Sequence, residues 1–479
     1  MRPLGDTPLL GLLLASSLVL SAPGSPRVSN LKNFPYVLGT EPPPISTSNS
    51  TNTTNPLWPW THYLPPPSLD PWYAPPANWT SSAPGTPLKI RRHAYPTLAI
   101  RNAHDTFQVL YRSSDTHGGP SWAVTTVFIP TSHASCPQSN CSHALVSYQV
   151  PTDSASVDAA PSFLLQAREP YGEMRDLLAR GWFVAVPDYE GPSASYCAGK
   201  QAGHATLDGI RAALAVAGDF GFRSAGARVG LWGYSGGAFA TAFALELAGS
   251  YAPELRISGG AVGGPAPNLT TVGELMNGRD TAGLVVASVV GVTKQHPHAV
   301  EFLRGRLRDT GPFNESAFMA VVNMTGVDAL EKYARQNVYD YFENGAADLW
   351  HPVVQKVIDG DAVLGRHGAP RGDVPVFFYK AVADEMSLVG ETDALIQRYC
   401  EKGASLLYHR NQLGGHNDEL WSGRLRALDF FSHVLEPDDG SKKMVSGINL
   451  TLPDRGCLTQ NVSVPLDVLE LLPDWWWTG

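Results

Sequence analysis

Arg228-Val229-Gly230-Leu231-Trp232-Gly233-Tyr234-Ser235-Gly236-Gly237-Ala238-Phe239-Ala240-Thr241 is the stretch on which the fold turns. Arg228 to Gly233 reads as a buried strand, and Gly236 to Ala248 as a helix. Between them Gly233 to Gly237 spell G-x-S-x-G. With a strand entering and a helix leaving, this is the context of a nucleophile elbow. The turn is tight, and glycines at 233 and 237 remove side chains that would collide with neighbouring backbone. Ser235 is thereby expected at the tip, beside the positive end of a helix.

The rhythm extends in both directions. Upstream, Ala123–Ile129, Ala144–Val150 and Trp182–Pro187 predict strands, and Tyr171–Arg180 and Thr206–Ala217 predict helices. Downstream come the strand Ile257–Val262, then Val376–Val382 (strand), Glu391–Lys402 (helix), Ser405–Tyr408 (strand) and Glu419–Val434 (helix). Such alternation predicts a doubly wound, mostly parallel sheet of the α/β-hydrolase kind. Residues 268–351 break the pattern, look helical throughout and fall between two sheet strands. They read as an insertion, either a cap or lid over the site or an ordinary helical subdomain. The expected division is therefore a leader (1–21), a Pro/Ser/Thr-rich arm (22–87), a first core part (88–267), the insertion (268–351), a second core part (352–436) and a tail (437–479).

A serine hydroxyl needs a base to take its proton, and in this fold the partners follow in the order Ser, Asp/Glu, His. The acid belongs just past a late strand. Asp384 lies two residues beyond Val382, with Glu385, Glu391 and Asp393 as rivals. Glu385 is expected to point away from its neighbour, and the other two to lie on or near the next helix. Of the histidines that follow, His433 falls inside a helix and His409 ends a strand. His416, in the loop Gly414-Gly415-His416-Asn417, is the expected base. The oxyanion needs two donors. One is the backbone N–H of Gly236. The other should come from Thr152, Asp153 or Ser154, after an early strand, because Pro151 has no N–H.

The chain has 479 residues, 43% hydrophobic and 16% charged, with a formal net charge of −9. This composition is globular, and no Lys/Arg block suggests nucleic acid. Residues Pro8 to Leu20 form a short apolar stretch followed by Ser21 and Ala22. It reads as a cleaved secretory signal, and no other run has membrane length. Asn-X-Ser/Thr sequons begin at Asn49, Asn52, Asn78, Asn140, Asn268, Asn314, Asn323, Asn449 and Asn461, in keeping with a secreted, extracellular glycoprotein. Of the five cysteines, Cys136 with Cys141 and Cys400 with Cys457 are the expected disulfides, leaving Cys197 as a buried free thiol. There is no CxxC pair and no HExxH, so neither metal nor other cofactor is expected. Trp475-Trp476-Trp477 suits either packing of the tail or transient contact with a lipid surface.

Several stretches resemble the fungal secretory lipases of the yeast lipase A type. They are Ser147-Tyr148-Gln149-Val150 with Asp153 and Ala160-Pro161-Ser162, then Asp188-Tyr189-Glu190-Gly191, and Leu207-Asp208-Gly209-Ile210-Arg211-Ala212. Gly233 to Gly237 with Tyr251-Ala252-Pro253-Glu254-Leu255, Asp384-Glu385 and His416 complete the set. The likeness runs from about Asp70 to Cys457. It implies an oxyanion donor at Asp153, a lid within 268–351, and hydrolysis of acylglycerols or other lipophilic esters. Deacylation of secondary metabolites such as trichothecene-type acetyl esters is the alternative, as is acyl transfer through the same triad. Departures from the family pattern are Ala159 and Gly415, where a cysteine and an acidic residue are expected, and an insertion without cysteine. A non-catalytic binding protein on the same scaffold is disfavoured by the intact order Ser235, Asp384, His416.

Overall fold

The computed structural model describes residues 64–92, 102–134, 144–165, 172–220, 222, 226–436, 445–448, 450–453 and 455–466. The expected leader, most of the arm, Asn49, Asn52, Asn140, Asn449, Cys136, Cys141 and the three terminal tryptophans lie outside them.

The strands are β1 (Pro87–Arg92), β2 (Ala103–Ser114), β3 (Pro120–Pro130), β4 (Ala144–Gln149), β5 (Phe183–Pro187), β6 (Arg228–Tyr234), β7 (Ile257–Gly263), β8 (Pro375–Ala381), β9 (Ser405–Asn411) and β10 (Cys457–Val462). They form one sheet in the order β1-β2-β3-β5-β4-β6-β7-β8-β9-β10. The first four in that order pair antiparallel. From β5 to β10 every pairing is parallel. Helices of eight or more residues are α1 (Gly172–Ala179), α2 (Gly199–Val216), α3 (Gly236–Tyr251), α4 (Leu269–Met276), α5 (Ala282–Thr293), α6 (Pro297–Arg304), α7 (Gly326–Tyr333), α8 (Pro352–Asp361), α9 (Val389–Glu401) and α10 (His416–Leu435).

Both faces of the sheet are covered, which is why its central strands read as unbroken apolar runs. Along β8, Val376 and Phe378 face the core shared with α2, α3, α9 and the insertion. Phe377 and Tyr379, one residue out of phase, face the core under α1 and α10. At the centre, Trp232 donates its indole N–H to the Tyr379 hydroxyl at 2.9 Å.

Strands β1, β2 and β10 were not anticipated from sequence. In β2 the side chains of Thr106, Gln108 and Arg112 are buried, so polarity does not mark a solvent face. The end of the N-terminal arm packs on the core: Asp158 accepts from the backbone and side chain of Ser68, and the Tyr73 hydroxyl meets that of Ser162 at 2.8 Å.

Between β7 and β8 the chain is helical, with two isolated bridges, and it stays helical to Asp361. All twelve residues of α5 are buried. A helix enclosed on every side has no polar face to show, which accounts for the run Ala282 to Val290.

Cys400 in α9 is disulfide-bonded to Cys457 at the start of β10, 57 residues apart in sequence. Cys197 is free. The bond ties an edge strand with alternately exposed residues to the core. Replacing both cysteines by serine is expected to lower unfolding free energy by about 2–4 kcal/mol, measured by urea titration against wild type.

Candidate active site

β6 delivers Ser235 into a conformation that few non-glycine residues adopt, φ 55° and ψ −120°. The turn is held because the Ser235 N–H donates to Gly263 O at 2.9 Å, and α3 starts at the next residue. Two glycines make it possible by close approach. A Cβ on Gly237 would sit 1.9 Å from Gln149 O, and one on Gly236 would sit 2.2 Å from Asp153 Oδ1.

His416 is the first residue of α10 rather than part of a free loop. Its Nε2 lies 2.9 Å from Ser235 Oγ, and its Nδ1 lies 2.8 Å from Asp384 Oδ2. A carboxylate only accepts, so Nδ1 carries the hydrogen and Nε2 is left to accept from the serine. The ring is fixed by its backbone. His416 N donates to Glu385 Oε2 at 2.9 Å, and the Tyr234 hydroxyl donates to His416 O at 2.5 Å. Glu385 thus meets the backbone of His416, and Asp384 meets its ring. Glu385 holds the start of α10, and a Cβ on Gly415 would approach its Oε2 to 2.5 Å.

Asp384 is buried and fully partnered. Its Oδ1 accepts from Met386 N (2.8 Å) and Ser387 N (2.9 Å), and its Oδ2 accepts from Lys380 Nζ at 2.8 Å as well as from His416. Burial alone would raise its pKa, but His416 and Lys380 outweigh that and hold it well below the usual carboxylate range. The rival residues go elsewhere. Asp393 pairs with Arg410 at 3.1 Å, and Glu391 lies in the first turn of α9. His409 Nε2 bonds Gln460, with burial and then Arg426 pushing its pKa down to about 4. His433 bonds Asp429 O. Lys380 was missed by sequence reasoning, although a lone charge in the apolar run Val376 to Val382 marked it.

Gly236 N is in the first turn of α3, where N–H groups have no acceptor within the helix. Of the three candidates for the second donor, Thr152 turns its hydroxyl back to Val150 O and Ser154 turns its own to Met324 O. Asp153, at φ 51°, is the one against Gly236. Burial pushes its carboxyl pKa up, with Tyr196 and His416 opposing. Lys294, just past α5, donates to Ser193 O at 2.8 Å and also to Ala155 O, and Gly326 packs on the Asp153 backbone. The insertion therefore braces the loop of Asp153.

A cavity opens at Ser235 and His416, with about 580 Å³ of empty space when its solvent-open mouth is included. Its walls are mostly apolar: Leu269, Val272 and Met276 of α4, Leu284 and Val285 of α5, and Phe239 of α3. The free thiol of Cys197 lies in the same wall, and burial raises its pKa well above the ordinary value.

A family model described as secretory lipase matches residues 170–438. A trichothecene C-3 esterase of Fusarium sporotrichioides is 36% identical over 406 residues, which cover 83% of this chain and 88% of that protein. Lipase A of Arthroderma benhamiae is 38% identical over 421 residues, 84% of either chain. The X-ray structure of Candida antarctica lipase A in its closed state matches with a TM-score of 0.68 and 26% identity, covering 86% of this chain and 94% of that one. The match to the family model spans more than half of the sequence, and each of the two relatives covers more than four fifths of it. The chain belongs to the secretory lipase family, carboxylic ester hydrolases built on the α/β-hydrolase fold.

Proposed function

We propose that Ser235, His416 and Asp384 are the catalytic triad and that the chain cleaves lipophilic esters through an acyl-enzyme. The observation that carries this reading is the chain of two hydrogen bonds, 2.9 and 2.8 Å, ending at a hydroxyl on the floor of an apolar cavity. Ser235 Oγ attacks the ester carbonyl carbon as its proton passes to His416 Nε2. Asp384 stabilises the imidazolium and keeps the ring oriented. The oxyanion takes the N–H groups of Gly236 and Asp153. Burial raises the pKa of the Asp153 carboxyl, which lessens the cost of placing a negative oxygen beside it. The tetrahedral intermediate collapses, breaking the C–O bond, and His416 gives its proton to the departing alcohol. Water then repeats the sequence on the acyl-enzyme and releases the acid.

The acyl chain lies in the cavity between α3, α4 and α5, so residues 268–351 act as a cap that shapes the substrate. Acylglycerols and related lipophilic esters fit such a wall. The likeness to a trichothecene esterase supports a second reading, an acetylated terpenoid held by its ring system. A screen of nitrophenyl esters, triacylglycerols and acetylated terpenoids separates the two, and added alcohols or amines reveal acyl transfer. Filling the cavity with Val285→Trp is expected to reduce kcat/KM for long acyl chains by about tenfold or more while sparing acetyl esters. Equal losses on both would remove the cavity from acyl binding.

The family's secretory character, the apolar leader and the sequons support an extracellular glycoprotein. Asn78, Asn323 and Asn461 are exposed and can carry glycans without displacing a packed side chain. Asn268 and Asn314 cap helices with their side chains and are partly buried. No helix among the described residues is long and apolar enough to cross a membrane. Contact with a lipid surface is proposed to be transient, through the exposed Leu388, just before α9 and past Asp384, and Leu413, just before α10.

A further inference from the structure

We propose that Lys380 is a positioning residue for the reaction, a fixed counter-charge that holds Asp384 in place and sets the net charge that the His416 ring faces. The inference rests on the ester-hydrolase reading above. Lys380 projects from β8 four residues before Asp384, and both side chains are wholly buried. Its Nζ donates to Asp384 Oδ2 at 2.8 Å and to Pro265 O at 3.1 Å. The same Pro265 carbonyl accepts from Ser387 Oγ at 3.2 Å. One ammonium group thus joins the acid loop to the segment that leads from β7 into the insertion.

The lysine and the imidazole share one oxygen. Asp384 Oδ2 meets both Lys380 Nζ and His416 Nδ1. With the lysine in place, the imidazole faces a carboxylate that is already neutralised. Without it, the imidazole faces a bare buried anion, which favours the imidazolium. The other charges nearby do not substitute for it. Glu385 is spent on His416 N, and Glu419 is paired with Arg426. Arg410, the register partner of Lys380 on β9, turns to Asp393. Asp153 faces His416 from the opposite loop with a carboxyl that burial pushes towards its neutral form, and the buried Tyr234 hydroxyl is neutral. Burial pulls the Lys380 pKa below the ordinary amine value, while Asp384, Glu385 and Glu419 oppose that pull.

The test is the pH dependence of kcat/KM on a soluble nitrophenyl ester for wild type, Lys380→Gln and Lys380→Met. Glutamine keeps a donor and loses the charge; methionine loses both. In each variant the acid limb is expected to move up by about one pH unit, so that kcat/KM below both limbs falls about tenfold. The glutamine variant should keep most of its plateau kcat. If Lys380→Met does not fold, Lys380→Gln decides alone. An acid limb that coincides with wild type, with only a lower Tm, would show a structural plug and overturn the proposal. Ser235→Ala is run alongside. Activity surviving there sinks the triad reading itself, whereas an inactive Ser235→Ala with an unmoved acid limb sinks only the role of the lysine.

Discussion

Ser235→Ala is expected to lower kcat on the order of 10⁶-fold while leaving the fold and ester binding intact. The methyl group occupies the same space, and the elbow is held by the backbone bond from residue 235 to Gly263 O, which alanine also makes. The φ of 55° is as uncomfortable for alanine as for serine, so no gain in stability is expected to accompany the loss. Two measurements check this. A fluorophosphonate should label wild type at Ser235, with fluoride leaving as the Oγ–P bond forms, and should fail to label the variant. The variant should still bind a slowly hydrolysed ester with near wild-type affinity. Labelling at another residue would move the nucleophile.

Asp384→Asn carries the second large effect, about 10⁴-fold in kcat. The amide has nearly the shape of the carboxylate but presents a donor on one side. It cannot accept from Lys380 and His416 on one oxygen while also accepting from Met386 N and Ser387 N on the other. The imidazole loses its anionic partner and the tautomer that leaves Nε2 free. Stability follows with a defined sign. The pKa of Asp384 is depressed in the folded chain, so its contribution is complete above the unfolded value near ~4. That contribution is lost as pH falls through the lower, folded value. Urea unfolding at neutral pH should therefore show the variant less stable than wild type, and the gap should narrow as the solution is acidified below about pH 4. A gap independent of pH would mean that the carboxylate contributes no charge pairing.

The hydrogen-bonded arrangement of Ser235, His416 and Asp384, proposed above as the triad, was legible because each residue is announced by its neighbours in the chain. The glycines of 233–237 mark a turn, Asp384 stands just past an apolar strand, and His416 follows two glycines. The order of the three left little freedom. Glu385 and Lys380 were not legible in the same way, because their roles depend on where a side chain turns in space. Glu385 faces the backbone of His416, 31 residues on, and sequence spacing is silent about that. The start of α10 was misplaced by three residues because Asp418, in its first turn, caps the helix back onto Gly415 N, a partnership of side chain and backbone. Strand β10 escaped because Cys457 to Val462 is polar and alternately exposed; its place at the sheet edge is secured by pairing with β9 and by the bond to Cys400.

Met324, Gly326 and Lys294 all belong to the chain between β7 and β8, yet they are what steadies Asp153 and its neighbours. If the cavity wall selects the substrate and Asp153 serves the oxyanion, as proposed, a change in one is expected to disturb the other. Under the proposed reading, exchanging residues 268–351 for those of a relative is expected to require re-fitting the loop of Asp153, which would receive the negative oxygen. Substrate range in such enzymes is then expected to drift by point changes along α4 and α5, whose side chains face the cavity, rather than by wholesale replacement of the module.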